Sequence, residues 1–349
     1  MKKLFDSYDS AWKQIVAPER SNYPMSLGPE LVYNSKQQLL KRVGFSVLNK
    51  TGRRLSGFTI INQTVPQCDL PCLIYLHSHS GTKAEALQVS QLCLDYFNIC
   101  SFDFSGYGDS QGEYSTLGLK EHEDLRCVID FLRESLDIED IYLWGRSMGA
   151  VTAIWYDALH KNQEVQGIVL DSPFTEAKTM LCDLMTSRTK IPRFLLQGAL
   201  IPIGSTIKSK TGYDVMENNP IDSAWRVTVP VYCFVGKDDV IARPERIRQM
   251  FVKLGSRIKH MEVVEGEHNS YRDDPIVLQA LTWLVDIANR RKERKQGISD
   301  GDMLMPADGE IPLQTQGSRT DNTFRVIQSG GSLIETERIQ LIETSEQKK

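Results

Sequence analysis

No stretch of this chain approaches the run of about 18 apolar residues that a membrane span requires. The longest candidate, FLLQGALIPIGSTI at 194–207, is interrupted by Gly198, Pro202 and Gly204. The amino-terminal MKKLFDSYDSAWKQ carries two lysines with no apolar block behind them, so a secretory leader is not expected. Cysteine is scattered: the seven residues at 68, 72, 93, 100, 127, 182 and 233 contain no Cys-x-x-Cys, and Cys68 with Cys72 is the one close pair. An odd number of thiols beside apolar neighbours points to reduced, buried side chains in a cytoplasmic protein. One-signed charge is missing too. A net charge of −4 over 349 residues gives no pull toward nucleic acid or an anionic surface.

What remains is ordinary soluble material, 41% apolar and 25% charged, enough for one large α/β domain with additions or two modest ones. Residues 1–42 mix aromatics and prolines and read as an irregular lead-in packing on the main domain. RVGFSVLNKTGRRLSGFTIIN, with Lys50-Thr51-Gly52 at its centre, reads as a hairpin. Short apolar runs then recur at 72–77, 99–104, 140–145, 167–172, 231–236 and 258–266, each bounded by Gly, Pro or Asp. Helical spacing fills 84–96, 118–135, 148–161, 244–254 and the stretch after 274. This alternation predicts a mostly parallel central sheet with helices on both faces. The gap from about 173 to 229 exceeds one crossover helix and reads as an inserted cap. Its Phe194, Leu195, Leu196, Leu200 and Ile201 line an acyl pocket or pack on the core. From 293 to 349 the chain is polar, dotted with Gly and Ser, and expected to be disordered, with FRVIQ and RIQLIE as its two apolar runs.

The strongest local signal is Gly145-Arg146-Ser147-Met148-Gly149, with a strand-like run before it and a helical pattern after it. A strand turning directly into a helix through Gly-x-Ser-x-Gly exposes the serine hydroxyl at the turn. A serine nucleophile needs a base, and the base an orienting acid. Of the two histidines after the cap, His260 lies inside a strand-like run, whereas His268 sits in the loop EGEHNSYRDDP ahead of the last helix. Asp238 and Asp239 compete for the acid's place after VYCFVG, and Asp171 is a third candidate at an earlier strand end. His122, among the charges of LKEHEDLRC, reads as part of a solvated face, and Arg146 as an ion-pair partner at the helix start.

LIYLHSHSG at 73–81 raises a second possibility, because His77 and His79 one residue apart can open a metal site. Such sites need nearby carboxylates and further histidines. None comes before Glu85, and the other histidines form no second cluster. No metal or cofactor is expected.

Together these motifs resemble the α/β-hydrolase superfamily, in the branch of serine-aminopeptidase-like (S33-like) hydrolases, lysophospholipases and depalmitoylase thioesterases. FDFSGYGDSQGEYSTLG resembles that branch's Gly-rich loop, WGRSMGA its nucleophile elbow, VLDSPF the following strand end, DVIARP its acid loop and EHNSYR its histidine segment. The resemblance implies an α/β-hydrolase domain over 43–292. It also implies Ser147 as nucleophile, Asp239 as acid, His268 as base, and the backbone N–H groups of His79 and Met148 as oxyanion donors. The implied activity is cleavage of an ester, thioester or amide through an acyl-enzyme. The substrate would be a small molecule or acyl chain, or an acylated protein or peptide. With no cysteine before Cys68, the anchored depalmitoylase role is disfavoured, and so is halide or epoxide chemistry, whose relatives place a carboxylate where Ser147 stands. Ser78 stands where the branch has Gly. A side chain there resists positive φ, so a weak or silent binding protein on the same fold is the alternative.

Overall fold

The computed structural model describes residues 2–18, 20, 27–66, 70–160, 164–189, 191–297, 326–327 and 333–334. A short strand β1 (Leu31–Tyr33) pairs antiparallel with β2 (Leu39–Leu48), which continues into β3 (Arg54–Asn62) over nine paired positions. The expected hairpin turn is tight. Gly52 takes φ +75° and donates to the Asn49 carbonyl, while the Asn49 side chain accepts from the amides of Thr51 and Arg53.

From residue 72 the pattern is β–α. The strands β4 (Cys72–Leu76), β5 (Asn98–Phe102), β6 (Ile141–Arg146), β7 (Val165–Asp171) and β8 (Val231–Gly236) are buried almost throughout, as strands covered on both faces must be. The more exposed β9 (Lys259–Val264) closes that end. Every pairing from β5 through β9 is parallel, whereas β3 meets β5 antiparallel. With β10 (Val326–Ile327) and β11 (Leu333–Ile334), the sheet runs β11-β10-β1-β2-β3-β5-β4-β6-β7-β8-β9. Two pieces of the tail expected to be disordered are therefore strands: Val326, inside FRVIQ, pairs with Val32 on an edge with vacant hydrogen-bonding groups. RIQLIE lies outside the described residues, as does Cys68.

Helices cover both faces. On one side α3 (Glu121–Leu136), α4 (Met148–His160) and α8 (Pro244–Lys253) share a core containing Leu125, Ile129, Ile154, Ile247 and Met250. On the other, α2 (Leu87–Cys93) and α9 (Asp274–Lys295) bury Val89, Leu281, Trp283 and Leu284 against the sheet. Lys292, Arg294 and Lys295 end α9, where cations favour the helix dipole. Among the described residues no helix is long and apolar enough to cross a membrane.

Between β7 and β8 lie α5 (Ala177–Arg188), α6 (Arg193–Thr211) and α7 (Pro220–Ser223). The apolar residues of α6 divide by face: Leu196 and Leu200 are buried, while Phe194, Leu195 and Ile201 are exposed. The lead-in departs from expectation. Residues 2–16 form a helix, α1 (Lys2–Val16), because Tyr8, Trp12, Ile15 and Val16 recur at helical spacing behind a mixed composition that hid them. Trp12 and Val16 bury into a third cluster with Leu117, Val151, Phe174, Met180, Leu200 and Ile203, and the Tyr8 hydroxyl donates to the Pro202 carbonyl at 2.8 Å. Six cysteines are free thiols, and all but Cys127 are buried.

Candidate active site

The elbow at Ser147 follows from three backbone facts. Strand β6 ends at Arg146, α4 begins at Met148, and Ser147 between them sits at φ +50°. A non-glycine residue in the left-handed region costs about 1–2 kcal/mol, held here by the Ser147 amide donating to the Asp171 carbonyl. The flanking glycines are needed for space. A Cβ on Gly145 would collide with the Gly149 carbonyl, and one on Gly149 with the Leu76 carbonyl of β4. The first turn of α4 leaves the amides of Met148 and its neighbours without intrahelical acceptors, next to the Ser147 hydroxyl.

His268 arrives from the loop after β9 and places Nε2 2.8 Å from Ser147 Oγ. Its Nδ1 lies 2.7 Å from Asp239 Oδ2. The other carboxylate oxygen, Oδ1, accepts from the amides of Ile241 at 2.9 Å and Ala242 at 2.7 Å, which fixes the carboxylate plane. Asp239 is buried, and its neighbour Asp238 points to solvent. Asp171 does not meet the imidazole. Its Oδ1 takes the Arg272 guanidinium at 2.9 Å, and Arg146 Nε lies 3.7 Å from Oδ2. Of the three aspartates, the fold brings Asp239 to His268. His260 stays in β9, stacked on Tyr232.

The chain matches the family model for serine aminopeptidase, S33, over residues 76–220. It is 25% identical over 243 residues to the protein YqkD of Bacillus subtilis, spanning 68% of this chain and 76% of that one. It is also 25% identical over 117 residues to the lysophosphatidylserine lipase ABHD12 of Danio rerio, covering 32% of this chain and 30% of the lipase. Among solved structures it is similar to the esterase Pf2001 of Pyrococcus furiosus, with a TM-score of 0.60 at 20% identity, covering 79% of this chain and 99% of the esterase. The chain has the α/β-hydrolase fold. Its serine, aspartate and histidine lie in loops at the carboxyl edge of the sheet, in the order Ser, Asp, His.

The turn after β4 differs from the strained loop that Ser78 suggested. Among the described residues with positive φ, Ser78 is absent, so its Cβ costs no backbone strain. The turn is held from below. The Ser78 amide donates to Glu85 Oε2 at 2.7 Å, its hydroxyl to Oε1 at 3.2 Å, and the Gly81 amide to the Ser78 carbonyl. Glu85 is the anchor of this turn. Burial raises its pKa, against the pull of Arg146 and the Ser78 amide. His77 accepts from the Phe104 amide through Nε2, so its Nδ1 carries the proton to the Ser78 carbonyl at 2.7 Å. Burial lowers its pKa and that of His79, keeping both rings neutral. His79 Nδ1 lies 2.6 Å from the Tyr107 hydroxyl, which in turn donates to Met148 Sδ at 3.1 Å. One run of side chains thus links the two residues whose amides were expected to act together.

Arg146, expected as an ion-pair partner, faces Asp171 and Glu85, but its hold on the histidine loop, and that of Arg272, was not foreseen. Arg146 donates to the carbonyls of Ser270 at 2.9 Å and His268 at 3.4 Å, and Arg272 donates to Asp171, Ser172 and the Glu267 carbonyl. Burial opposes the charge on Arg146, but Asp171, Tyr75 and Glu85 outweigh it and raise its pKa. The clue for Arg272 was in EHNSYR, and Arg146 lay inside the elbow itself. Asp103 and Ser110 organise the Gly-rich loop: Asp103 takes the Lys83 ammonium at 2.9 Å and the Asp109 amide at 3.0 Å, and Ser110 bonds the Asp103 carbonyl. His122 is buried, not solvated, with Nδ1 2.9 Å from His160 Nε2.

Proposed function

We propose that this protein is a serine hydrolase that cleaves a carboxylic ester, thioester or amide through an acyl-enzyme. Ser147 Oγ attacks the acyl carbon while His268 Nε2 takes its proton. Asp239 holds the ring so that Nε2 faces the hydroxyl, and stabilises the imidazolium as it forms. The amides of His79 and Met148 donate to the oxyanion of the tetrahedral intermediate. Collapse expels the alcohol, thiol or amine with the proton returned by His268, and water repeats the sequence to release the acid. The continuous relay from Ser147 through His268 to Asp239, with Ser147 held in a left-handed conformation, carries this reading. The esterase and lipase among its relatives favour an ester.

Labelling with a fluorophosphonate probe tests it. The parent is expected to be modified, and Ser147→Ala to stay unlabelled with unchanged circular dichroism. Equal labelling of both would sink the assignment. The silent-binder reading drew on Ser78 and on the tail, and an unstrained Ser78 weakens the first of these motives.

A further inference from the structure

Glu85 lies in the short helical turn Lys83–Ala86, just past the loop that carries His79, and 11% of its side chain is exposed. A glycine leaves room for it: a Cβ on Gly81 would stand 2.6 Å from Glu85 Oε2. That oxygen accepts from the Ser78 amide at 2.7 Å, while Arg146 Nη1 stands 3.9 Å from Oε1. Arg146 reaches on to the Ser270 carbonyl and toward Asp171, whose short contact is with Arg272 of the histidine loop. Two carboxylates and two guanidinium groups thus alternate from the His79 turn to the histidine loop, where water screens each attraction little. Within this chain Glu85 is placed unlike a simple counter-ion. Burial disfavours its ionised form, and a carboxylate serving Arg146 alone would give that group its short contact. Glu85 gives it to a backbone amide.

What that amide controls is a peptide plane. The Ser78 N–H belongs to the peptide joining His77 to Ser78. The next peptide, joining Ser78 to His79, is pinned through its carbonyl, which accepts from His77 Nδ1 at 2.7 Å and from the Gly81 amide at 3.0 Å. In a trans peptide the C=O and N–H point in opposite directions, so a fixed Ser78 carbonyl aims the His79 N–H. Among the described residues that N–H meets no acceptor, as a donor kept for a developing oxyanion requires. Without Glu85 the first plane loses the anchor on its N–H, and the plane carrying the donor can follow it. We propose that Glu85 is a positioning residue for oxyanion stabilisation, holding the Ser78 amide so that the His79 N–H faces the acyl oxygen of a substrate on Ser147. Its effect on turnover rests on the hydrolase reading; its ordering of the turn does not.

Two replacements in the full-length chain separate reach from charge. Glu85→Gln keeps an oxygen at the Ser78 amide and loses the charge, whereas Glu85→Asp keeps the charge and draws the carboxylate back by one methylene. On p-nitrophenyl butyrate, Glu85→Asp is expected to lower kcat about a hundredfold at unchanged KM, and Glu85→Gln by less than about fivefold. A phenethyl trifluoromethyl ketone, which adds to a serine as an oxyanion, should bind Glu85→Asp more weakly by the same factor as kcat/KM falls. Hydrogen exchange over residues 77–81, read by mass spectrometry, should quicken in Glu85→Asp and keep the parent rate in Glu85→Gln. If Glu85→Asp behaves as the parent, or Glu85→Gln loses as much as Glu85→Asp, Glu85 is a counter-ion of Arg146 and the positioning role is overturned. A rise in KM at unchanged kcat, or an unaltered ketone affinity beside a lowered kcat, overturns it too. A parent without Ser147-dependent hydrolysis defeats the hydrolase reading. The exchange rates then decide alone whether Glu85 holds the turn, and no quickening in Glu85→Asp rejects it.

Discussion

At the scale of single residues, the candidate site turns on which of two adjacent carboxylates reaches an imidazole. Asp239 is locked by the amides of Ile241 and Ala242, so its free oxygen has one direction available, toward His268 Nδ1. Asp238 has no such lock and lies in solvent. On p-nitrophenyl esters, Asp239→Asn is expected to lower kcat by about a thousandfold or more through the wrong ring tautomer. Asp238→Asn should change it less than about twofold. Equal losses would mean that the loop, and not the carboxylate, matters. Ser78 gives the complementary test. Its hydroxyl makes one long bond to Glu85, worth at most about 1.5 kcal/mol, while the essential contact is its backbone amide, which glycine keeps. Ser78→Gly should therefore preserve or raise turnover. A large loss of kcat with an intact fold would make the hydroxyl itself a working group.

Between elements, the pairing of α3 with α4 has its own titration. Burial and the neighbouring His160 push the pKa of His122 down to about 4, and burial lowers that of His160 as well. A histidine depressed in the folded state holds its proton less tightly there than in the unfolded chain, where its pKa is near 6.5. Its contribution to stability is complete above about pH 6.5 and is lost as pH falls through about 4. Urea melts should show the parent losing stability from pH 7 to pH 4.5, and His122→Phe should flatten that slope. An unchanged slope would place the acid sensitivity elsewhere. This pair also shows what the sequence could disclose. The strands, the elbow and the order Ser, Asp, His were readable because each is coded by neighbouring residues: a short apolar run, a five-residue turn, a loop after a strand. His122 with His160, Arg146 with Ser270 and Glu85 with Ser78 were not, because each depends on which side chains two separate elements bring together. Helix α1 was hidden for a different reason, its apolar spacing lying in a stretch dominated by polar and aromatic residues.

For the molecule as a whole, three apolar clusters hold two sheet faces and a cap together, and α1 joins the last of them. Trp12 is 4% exposed, packed at 5.9 Å between ring centres against Tyr114, and its indole donates to Asp9 within the same helix. Removing so large a side chain leaves a cavity that the cap and the Gly-rich loop together must close. Trp12→Ala is expected to lower the unfolding free energy by about 3 kcal/mol or more, read from urea denaturation. A change below about 0.5 kcal/mol would mean that α1 is an appendage to the fold.

The contact between Tyr8 and Pro202 spans 194 residues of sequence. A chain made from its amino end exposes α1 long before the cap helix that receives it exists. At the usual pace of translation that interval is roughly ten to forty seconds. Until Tyr114, Leu117 and Val151 follow, the apolar side of α1 has no native partner, and its α6 contacts wait longer still, so the nascent chain depends on local helix propensity or on a chaperone to keep that surface from other chains. Residues made early thus finish settling late, and the cap and α1 complete their contact as one late event.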